Sequence, residues 1–256
     1  AGYRFVVDVD LEKFFDRVNH DILMDRMARR IADKAVLRLI RRYLQAGVMH
    51  SGVCIARAEG TPQGGPLSPL LANVLLDEVD RELERRGHKF VRYADDCNVY
   101  VKSMRAGERV LQALRRCYAR LHLVVNEAKT AVARVWGRKF LGYSIVVGRG
   151  GAVLVVAEQA LAKLRERLRR STRRSSGRSL AQIAEDLRVY VPGWKVYFRL
   201  AQRPTVMREL DSWLRHRLRA VQLAHWRHGR KAYTELRRLG ARVDEAQRIA
   251  SHLRQW

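Results

Sequence analysis

The chain has few cysteines, few acidic side chains and no long hydrophobic run. Its three cysteines, Cys54, Cys97 and Cys117, are too few and too scattered for a disulfide framework or a zinc site, so we expect a reducing compartment. No segment approaches the roughly 20 apolar residues of a membrane span. The N-terminus has neither the basic start nor the apolar core of a signal peptide. These absences predict a cytoplasmic protein with no membrane partner.

The shortage of acids leaves the chain strongly basic. It has 51 Lys and Arg against 26 Asp and Glu, which gives a formal net charge of +25 and a pI near 11.1. A solvated helix face explains any single Arg equally well, but the total indicates a phosphate backbone as the partner. With 256 residues and 47% hydrophobic content, the chain is long enough to bury one or two cores.

The hydrophobic pattern changes part-way along the chain. Strand-like and helix-like segments alternate as far as residue 147, and Ser68 and Pro69 occupy favoured cap and first-turn positions of a helix. Beyond 157 the periodicity is helical, with Pro192 predicted to separate helices at 180–191 and 193–200. The pattern predicts a domain boundary within 148–157, giving domains 1–150 and 151–256.

Adjacent carboxylates are the most informative feature of the first domain. Asp95 and Asp96 lie in a predicted tight turn between two strand-like runs, and a strand-like run far upstream ends in Asp8 and Asp10. Folding could bring these acids together around divalent cations. Two such cations about 4 Å apart, bridged by carboxylates, promote phosphoryl transfer by activating a hydroxyl and stabilising a leaving pyrophosphate. For Asp8 and Asp16, salt bridges or turn caps are the better interpretation.

Four motifs in order make this pattern specific. They are Asp10-Leu11-Glu12-Lys13-Phe14-Phe15-Asp16, Thr61-Pro62-Gln63-Gly64-Gly65-Pro66-Leu67-Ser68-Pro69, Tyr93-Ala94-Asp95-Asp96 and Phe140-Leu141-Gly142-Tyr143. Together they resemble a group II intron reverse transcriptase, or maturase. The resemblance implies an α+β fold: a polymerase palm, with an antiparallel sheet backed by helices, followed by an all-helical thumb bundle. Residues 193–199 resemble the thumb, which doubles as the maturase domain.

The resemblance also implies a set of catalytic groups. Asp10 and Asp95 match the two catalytic aspartates, Asp96 is the helper, and Leu11 offers a backbone carbonyl to the metal. The expected cofactor is a pair of Mg²⁺ ions, with Mn²⁺ as a tolerated substitute. Clustered acids repel one another, and bound cations offset that repulsion, so we expect a metal-dependent site.

Other positions match the family's substrate-binding residues. Phe15 corresponds to an aromatic wall that excludes a ribose 2′-hydroxyl, although an ordinary core aromatic is the alternative. Gln63 and Gly64 correspond to the loop that supports the templating base pair, with a plain turn before a helix as the alternative. Lys129 corresponds to a lysine near the nucleotide phosphates, or is surface charge. Phe140, Leu141, Gly142 and Tyr143 correspond to the primer grip.

The basic side chains of the second domain are candidate nucleic-acid contacts. We predict this role for Arg169, Arg170, Arg173, Arg174, Lys195 and Arg199. Three tryptophans among the arginines, Trp194, Trp213 and Trp226, are interpreted as core anchors in preference to base-stacking residues.

The expected function is that of an RNA-directed DNA polymerase. Its partners would be template and intron RNA, a DNA primer and deoxynucleoside triphosphates. The family carries a fingers region before the strand of Asp10, so a separate fingers segment is a further expected partner, and activity of this chain alone would be impaired. The alternatives are a maturase that only scaffolds RNA, and a basic protein that coats nucleic acid without metal dependence.

Overall fold

The chain divides into two compact units, Ala1–Val135 and Trp136–Trp256. The computed structural model describes residues 2–46, 48–50, 53–55, 59–62, 64–148 and 150–252. The two units separate before the predicted boundary at 150/151. The assignment of 1–150 and 151–256 to polymerase and thumb functions stays a prediction.

The first unit combines one four-stranded sheet, a short hairpin and four helices among its described residues. The strands are β1 (Phe5–Val9), β2 (Val48–His50), β3 (Val53–Ile55), β4 (Lys89–Tyr93), β5 (Asp96–Val101) and β6 (Ala131–Arg134). The helices are α1 (His20–Ala28), α2 (Lys34–Gln45), α3 (Ser68–Arg85) and α4 (Met104–Arg120), and a 3₁₀ turn spans Phe14–Asp16. The main sheet has the order β4-β5-β1-β6 with antiparallel neighbours, and β2 pairs with β3.

Local capping chemistry sets where several of these helices begin. The Asn19 side chain accepts hydrogen bonds from the backbone N–H groups of Asp21 and Ile22, and the Ser103 side chain accepts one from Ala106. Ser68 does not cap α3, because the helix begins at Ser68 itself, after Leu67. The Ser68 hydroxyl instead donates to the Pro62 carbonyl at 2.6 Å and so ties the start of α3 to the preceding loop.

Helices cover one face of the main sheet. Val7 and Val9 of β1 and Val99 of β5 are buried in one core with Leu75 of α3 and Leu114 of α4. Since side chains alternate along a strand, the residues between them face the other side. There, Val91 and Tyr93 of β4 are 40% and 64% exposed. The sheet therefore has a helix-covered face and a face that is exposed beside the β4–β5 turn.

The second unit places a three-stranded antiparallel sheet ahead of its helices. The strands are β7 (Lys139–Phe140), β8 (Tyr143–Gly148) and β9 (Gly151–Val156), in the order β7-β8-β9. The helices are α5 (Glu158–Ser171), α6 (Leu180–Tyr197), α7 (Pro204–Trp226), α8 (Gly229–Arg238) and α9 (Val243–Ser251). One core joins α5, α6 and α7, and a smaller one joins α7, α8 and α9. The predicted α+β class is confirmed.

The predicted break at Pro192 is wrong. Helix α6 runs through Pro192 without interruption. A proline inside a helix removes one hydrogen bond and costs about 3 kcal/mol. Tyr190 and Val191 before it and Trp194 after it all pack against the same core. Burial on both sides of the proline outweighs the lost bond. Over the described part of the chain, no helix has the length and apolar character needed to cross a membrane.

Candidate active site

The predicted catalytic acids lie at one end of the main sheet. Strands β1 and β5 pair with Val9 opposite Cys97, so Asp10 continues the register towards Asp96. Asp95 belongs to the two-residue link between β4 and β5, where Tyr93 pairs with Asp96. Val9 and Cys97 point into the helix-covered core, and alternation assigns Asp10 and Asp96 to the opposite face. We call this end of the sheet the acid edge.

Asp10 is held by the segment that precedes β6. Its backbone N–H donates to Thr130 Oγ1 at 3.2 Å, and its carbonyl accepts from the N–H of Asn126 at 2.9 Å. Lys129 Nζ lies 3.6 Å from Asp10 Oδ2, and the Asp10 side chain is 30% exposed. Lys129, predicted to lie near nucleotide phosphates, thus forms an ion pair with the first predicted catalytic aspartate.

The neighbour of Asp10 forms an isolated antiparallel bridge, Leu11 opposite Val125. Its two hydrogen bonds join the flanking residues, from Glu12 N–H to the Val124 carbonyl and from Asn126 N–H to the Asp10 carbonyl. Neither bond uses the Leu11 carbonyl. The resemblance implies that this carbonyl is a metal ligand, and that role stays a prediction.

A guanidinium group supports the β4–β5 turn. Arg92 forms an ion pair with Asp80 of α3, with Nε 2.7 Å from Oδ1 and Nη2 on Oδ2, and this pairing raises the pKa of Arg92. Arg92 Nη1 donates to Asn73 Oδ1 and to the Ala94 carbonyl, both at 2.9 Å. Ala94, immediately before Asp95, has a φ of 53°. Arg92 therefore links helix α3 to the turn that contains Asp95.

Phe15 lies in the 3₁₀ turn, which contacts the glycine-rich loop that begins at Gly60. It is partly buried against the core, its ring is 5.1 Å from that of Phe14, and its carbonyl accepts from Thr61 N–H at 2.6 Å. At Gly60, with φ 87°, an added Cβ would lie 2.8 Å from the Asp16 carbonyl oxygen, so this close approach requires glycine. His20 Nε2 donates to the Gly60 carbonyl at 2.7 Å from a buried position.

The predicted template loop is described only in part. Gln63 lies outside the described residues. Gly64 is exposed, with φ 82°. Their roles stay predictions.

The donors at the acid edge suit a hard divalent cation, since Mg²⁺ prefers carboxylate and carbonyl oxygens. Within the described ranges, however, no group of three or more His, Cys, Asp or Glu side chains is gathered closely enough to hold a metal ion. The residues of the acid edge nevertheless fit a divalent cation by the chemistry of their donor atoms. The ligand set of Asp10, Leu11, Asp95 and Asp96 stays a prediction.

The predicted primer grip is a tight turn in the second unit. Phe140 ends β7, Tyr143 begins β8, and the linking Leu141 and Gly142 have φ of 51° and 78°. Tyr197 at the end of α6 anchors the turn, because its hydroxyl donates to the Leu141 carbonyl at 3.1 Å and its carbonyl accepts from Tyr143 Oη at 2.5 Å.

Phe198 also packs against the turn between β7 and β8. A Cβ added at Gly142 would lie 3.0 Å from Phe198 Cζ. The Tyr143 and Phe198 rings are 5.2 Å apart. The β7–β8 turn is thus held against the end of α6 by two tyrosine hydroxyls and an aromatic contact.

Basic side chains gather around Trp213 in the second unit. The guanidinium groups of Arg169 and Arg217 lie 5.7 and 5.4 Å from its ring centroid. Arg217 Nε donates to the buried Thr172 Oγ1 at 2.7 Å. Burial, with the charges of Arg169 and Arg174 nearby, lowers the pKa of Arg217. These side chains form a local concentration of positive charge.

The remaining predicted nucleic-acid contacts are surface groups. Arg170 pairs with Glu166 at 3.3 Å, and the other four are exposed: Arg173, Arg174, Lys195 and Arg199. Trp194 and Trp213 pack against the core of α5, α6 and α7, and Trp226 is buried in the smaller core. All three tryptophans are therefore core residues, as predicted.

Comparison with known families identifies the chain. Residues 1–145, more than half of the sequence, match the family described as reverse transcriptase (RNA-dependent DNA polymerase). The chain belongs to the reverse transcriptase family. Residues 161–240 of this reverse transcriptase match the group II intron, maturase-specific domain, and the predicted group II intron resemblance is confirmed. Members of the family generally use divalent metal ions, and the two matched regions imply RNA binding.

Curated relatives share only segments with this reverse transcriptase. Protein YkfC of Escherichia coli K12 is 42% identical over 83 residues, which is 32% of this chain and 22% of that protein. The group II intron-encoded protein LtrA of Lactococcus lactis is 37% identical over 92 residues, 36% of this chain and 15% of that protein. The chain thus spans less than a quarter of these relatives. A solved telomerase from Candida albicans, in complex with a fragment of telomeric RNA, aligns at TM-score 0.47 and 14% identity, covering 85% of this chain and 44% of that one.

Several supporting residues of this reverse transcriptase were not predicted from the sequence. They are Asp80, Arg92, Thr130, Tyr197 and Arg217. Arg92 stands three residues before Asp95, which gave one local signal. The partners of Tyr197 and Arg217 are 56 and 45 residues away, and no local spacing reveals them.

Proposed function

We propose that this chain is the RNA-directed DNA polymerase core of a group II intron-type reverse transcriptase, which extends a DNA primer on an RNA template with deoxynucleoside triphosphates. One observation carries the proposal: antiparallel register brings Asp10 to the same edge of the sheet as Asp95 and Asp96. Membership of the reverse transcriptase family supports the same activity.

In this proposal, Asp10, Asp95, Asp96 and the Leu11 carbonyl would hold two Mg²⁺ ions at the acid edge. Bound cations would lower the pKa of the primer 3′-hydroxyl and stabilise the charge that develops on the pyrophosphate. The chain's own residues orient these ligands. Thr130 and Asn126 fix the Asp10 backbone, and Arg92 fixes the backbone of the β4–β5 turn.

Lys129 has a charge-balancing role in this proposal. Its ammonium group lies 3.6 Å from the Asp10 carboxylate, and its side chain is 67% exposed. The exposed side chain would be able to reach an incoming triphosphate, and bound cations would then balance the Asp10 carboxylate in its place. This accounts for the predicted nucleotide contact as well as for the observed ion pair.

The other predicted substrate contacts complete the proposal. The partly exposed ring of Phe15 would exclude the ribose 2′-hydroxyl, Gln63 and Gly64 would support the templating base pair, and the turn at residues 140–143 would grip the primer. Intron RNA would be bound by the basic side chains of the second unit, which supports a maturase role in the whole protein. The cytoplasmic location and the need for a separate fingers segment stay predictions.

The decisive experiment is primer extension on RNA and DNA templates with Mg²⁺. It uses the chain alone and with the fingers segment of a group II intron reverse transcriptase added in trans. We expect Asp95→Asn to abolish extension. In binding assays without divalent cations, it should keep RNA binding or tighten it slightly, because a negative charge is lost. Glu108→Gln, an exposed position on α4, is the control for the charge change.

A measurement of metal binding separates the enzyme from its alternatives. Mn²⁺ titration followed by electron paramagnetic resonance should detect binding to the parent chain and to Glu108→Gln, with loss of binding in Asp95→Asn. Unchanged extension by Asp95→Asn would contradict the assignment. RNA binding with neither extension nor Mn²⁺ binding would identify an RNA scaffold or coating protein.

A further inference from the structure

A second concentration of positive charge lies in the first unit, at the opposite end of the β4–β5 hairpin from the acid edge. A cavity of about 340 Å³ is lined there by five basic residues: Arg86, His88, Lys89, Lys102 and Arg109. We call it the basic pocket. None of the described residues that line it is acidic. Basic side chains from the end of α3, the hairpin and the first turns of α4 thus line the same cavity.

Two of these cations have structural explanations. Arg86 pairs with Glu82 and follows the C-terminus of α3, where a positive charge complements the helix dipole. Lys102 Nζ lies 5.9 Å from the ring centroid of Tyr3, which also lines the pocket. These contacts account for Arg86 and Lys102 without a ligand.

Lys89 and Arg109 have no such contact among the described residues. Both side chains are exposed, and neither forms an ion pair with any described residue. They come from different elements, β4 and α4, yet line one cavity. His88 also lines the pocket, and its pKa is lowered by its burial and by the charge of Arg86.

The basic pocket is too far from the acid edge to belong to it. Lys89 pairs with Tyr100 at one end of the hairpin, and Tyr93 pairs with Asp96 at the other. Four residues of strand separate the two ends by about 13 Å. A ligand held here is therefore not the reacting end of the primer.

We propose that the basic pocket binds phosphate groups of an RNA strand, as a contact separate from the acid edge. Lys89 and Arg109 would neutralise successive phosphates, and Tyr3 and Tyr100 would bound the site with their rings. Lysine suits this task because its ammonium group is a flexible point charge that tolerates different backbone geometries. The inference does not depend on the proposed polymerase activity.

The test compares two double variants that remove the same charge. Lys89→Ala/Arg109→Ala removes the pocket cations, and Arg38→Ala/Arg116→Ala removes exposed arginines on α2 and α4 that do not line the pocket. Affinity for a fluorescent single-stranded RNA is measured over a range of salt concentrations. Single-stranded contacts contribute about 0.7 each to the log–log salt slope, so loss of two should reduce the slope by about 1.4.

We expect the pocket variant to bind about tenfold more weakly and the control variant to change less than about twofold. Equal losses in both variants, or no loss in the pocket variant, would overturn the proposal. The ring signals of His88, followed by nuclear magnetic resonance, identify the source of the phosphate. A larger shift with RNA than with inorganic pyrophosphate at equal phosphate concentration supports a strand, whereas an equal shift would overturn the RNA assignment.

Discussion

Arg92 has two expected roles: it stabilises the first unit, and it holds the acids of the β4–β5 turn in position. Replacement of Arg92 by methionine tests both. Arg92 is 9% exposed and its partner Asp80 is 23% exposed, so Arg92→Met leaves a largely buried carboxylate without its cation. Breaking a buried pair in this way costs about 3–5 kcal/mol. Because Asp80 keeps some contact with water, we expect the lower end, about 3 kcal/mol, in urea unfolding.

The second variant, Arg92→Met/Asp80→Leu, removes both charges. Replacing a buried ion pair by apolar side chains of similar size is often neutral. The double variant should therefore recover to within about 1 kcal/mol of the parent. It does not restore the hydrogen bond from Arg92 Nη1 to the Ala94 carbonyl, next to Asp95.

The activity of the double variant then reports on the loss of that hydrogen bond. A displacement of about 1 Å at a reacting group can lower a rate by about a hundredfold, so the double variant should be stable but slow in single-turnover primer extension. Its Mn²⁺ affinity should fall as well. Full extension by the stable double variant would show that Arg92 contributes only to folding, and a loss of less than about 1 kcal/mol in the single variant would refute the argument for the ion pair.

Three further perturbations test particular features of the fold. Ala94→Gly should stabilise the first unit by about 1 kcal/mol in urea unfolding, because Ala94 has a φ of 53°, which glycine adopts without strain. Burial raises the pKa of Cys97 from 9.0 to about 12. Between these pH values the unfolded chain loses the Cys97 proton and the folded chain keeps it, so the free energy of unfolding should fall as pH rises. In Cys97→Ala, this free energy should fall less steeply. Tyr197→Phe should destabilise the second unit by about 1 kcal/mol in thermal unfolding, by removing the hydrogen bond to the Leu141 carbonyl.

Features that depend on residues close together in the sequence could be predicted. The alternating pattern around the β4–β5 turn depends on residues a few positions apart, and the structure has the two strands and the turn as predicted. The order of four motifs was sufficient for the family, although none of them alone was specific.

Features that depend on distant partners could not be predicted in this way. The continuity of α6 through Pro192 is decided by a core that α5 and α7 complete. The ion pair of Lys129 with Asp10 joins residues far apart in sequence. In each case, tertiary burial or a long-range charge partner overrides the local signal.

The charge distribution favours an enzyme over a scaffold. A protein that only binds RNA gains nothing from carboxylates on the surface that approaches phosphate, because each one repels the ligand. Here the chain carries a net charge of +25 and still brings Asp10 and Asp96 to one exposed edge. Lys129 beside Asp10 balances one charge of that edge. Divalent cations would reverse the sign of the potential there, so the acid edge should repel nucleic acid without them and bind it with them. RNA affinity that rises with Mg²⁺ in the parent, and much less in Asp95→Asn, is the behaviour that this argument requires.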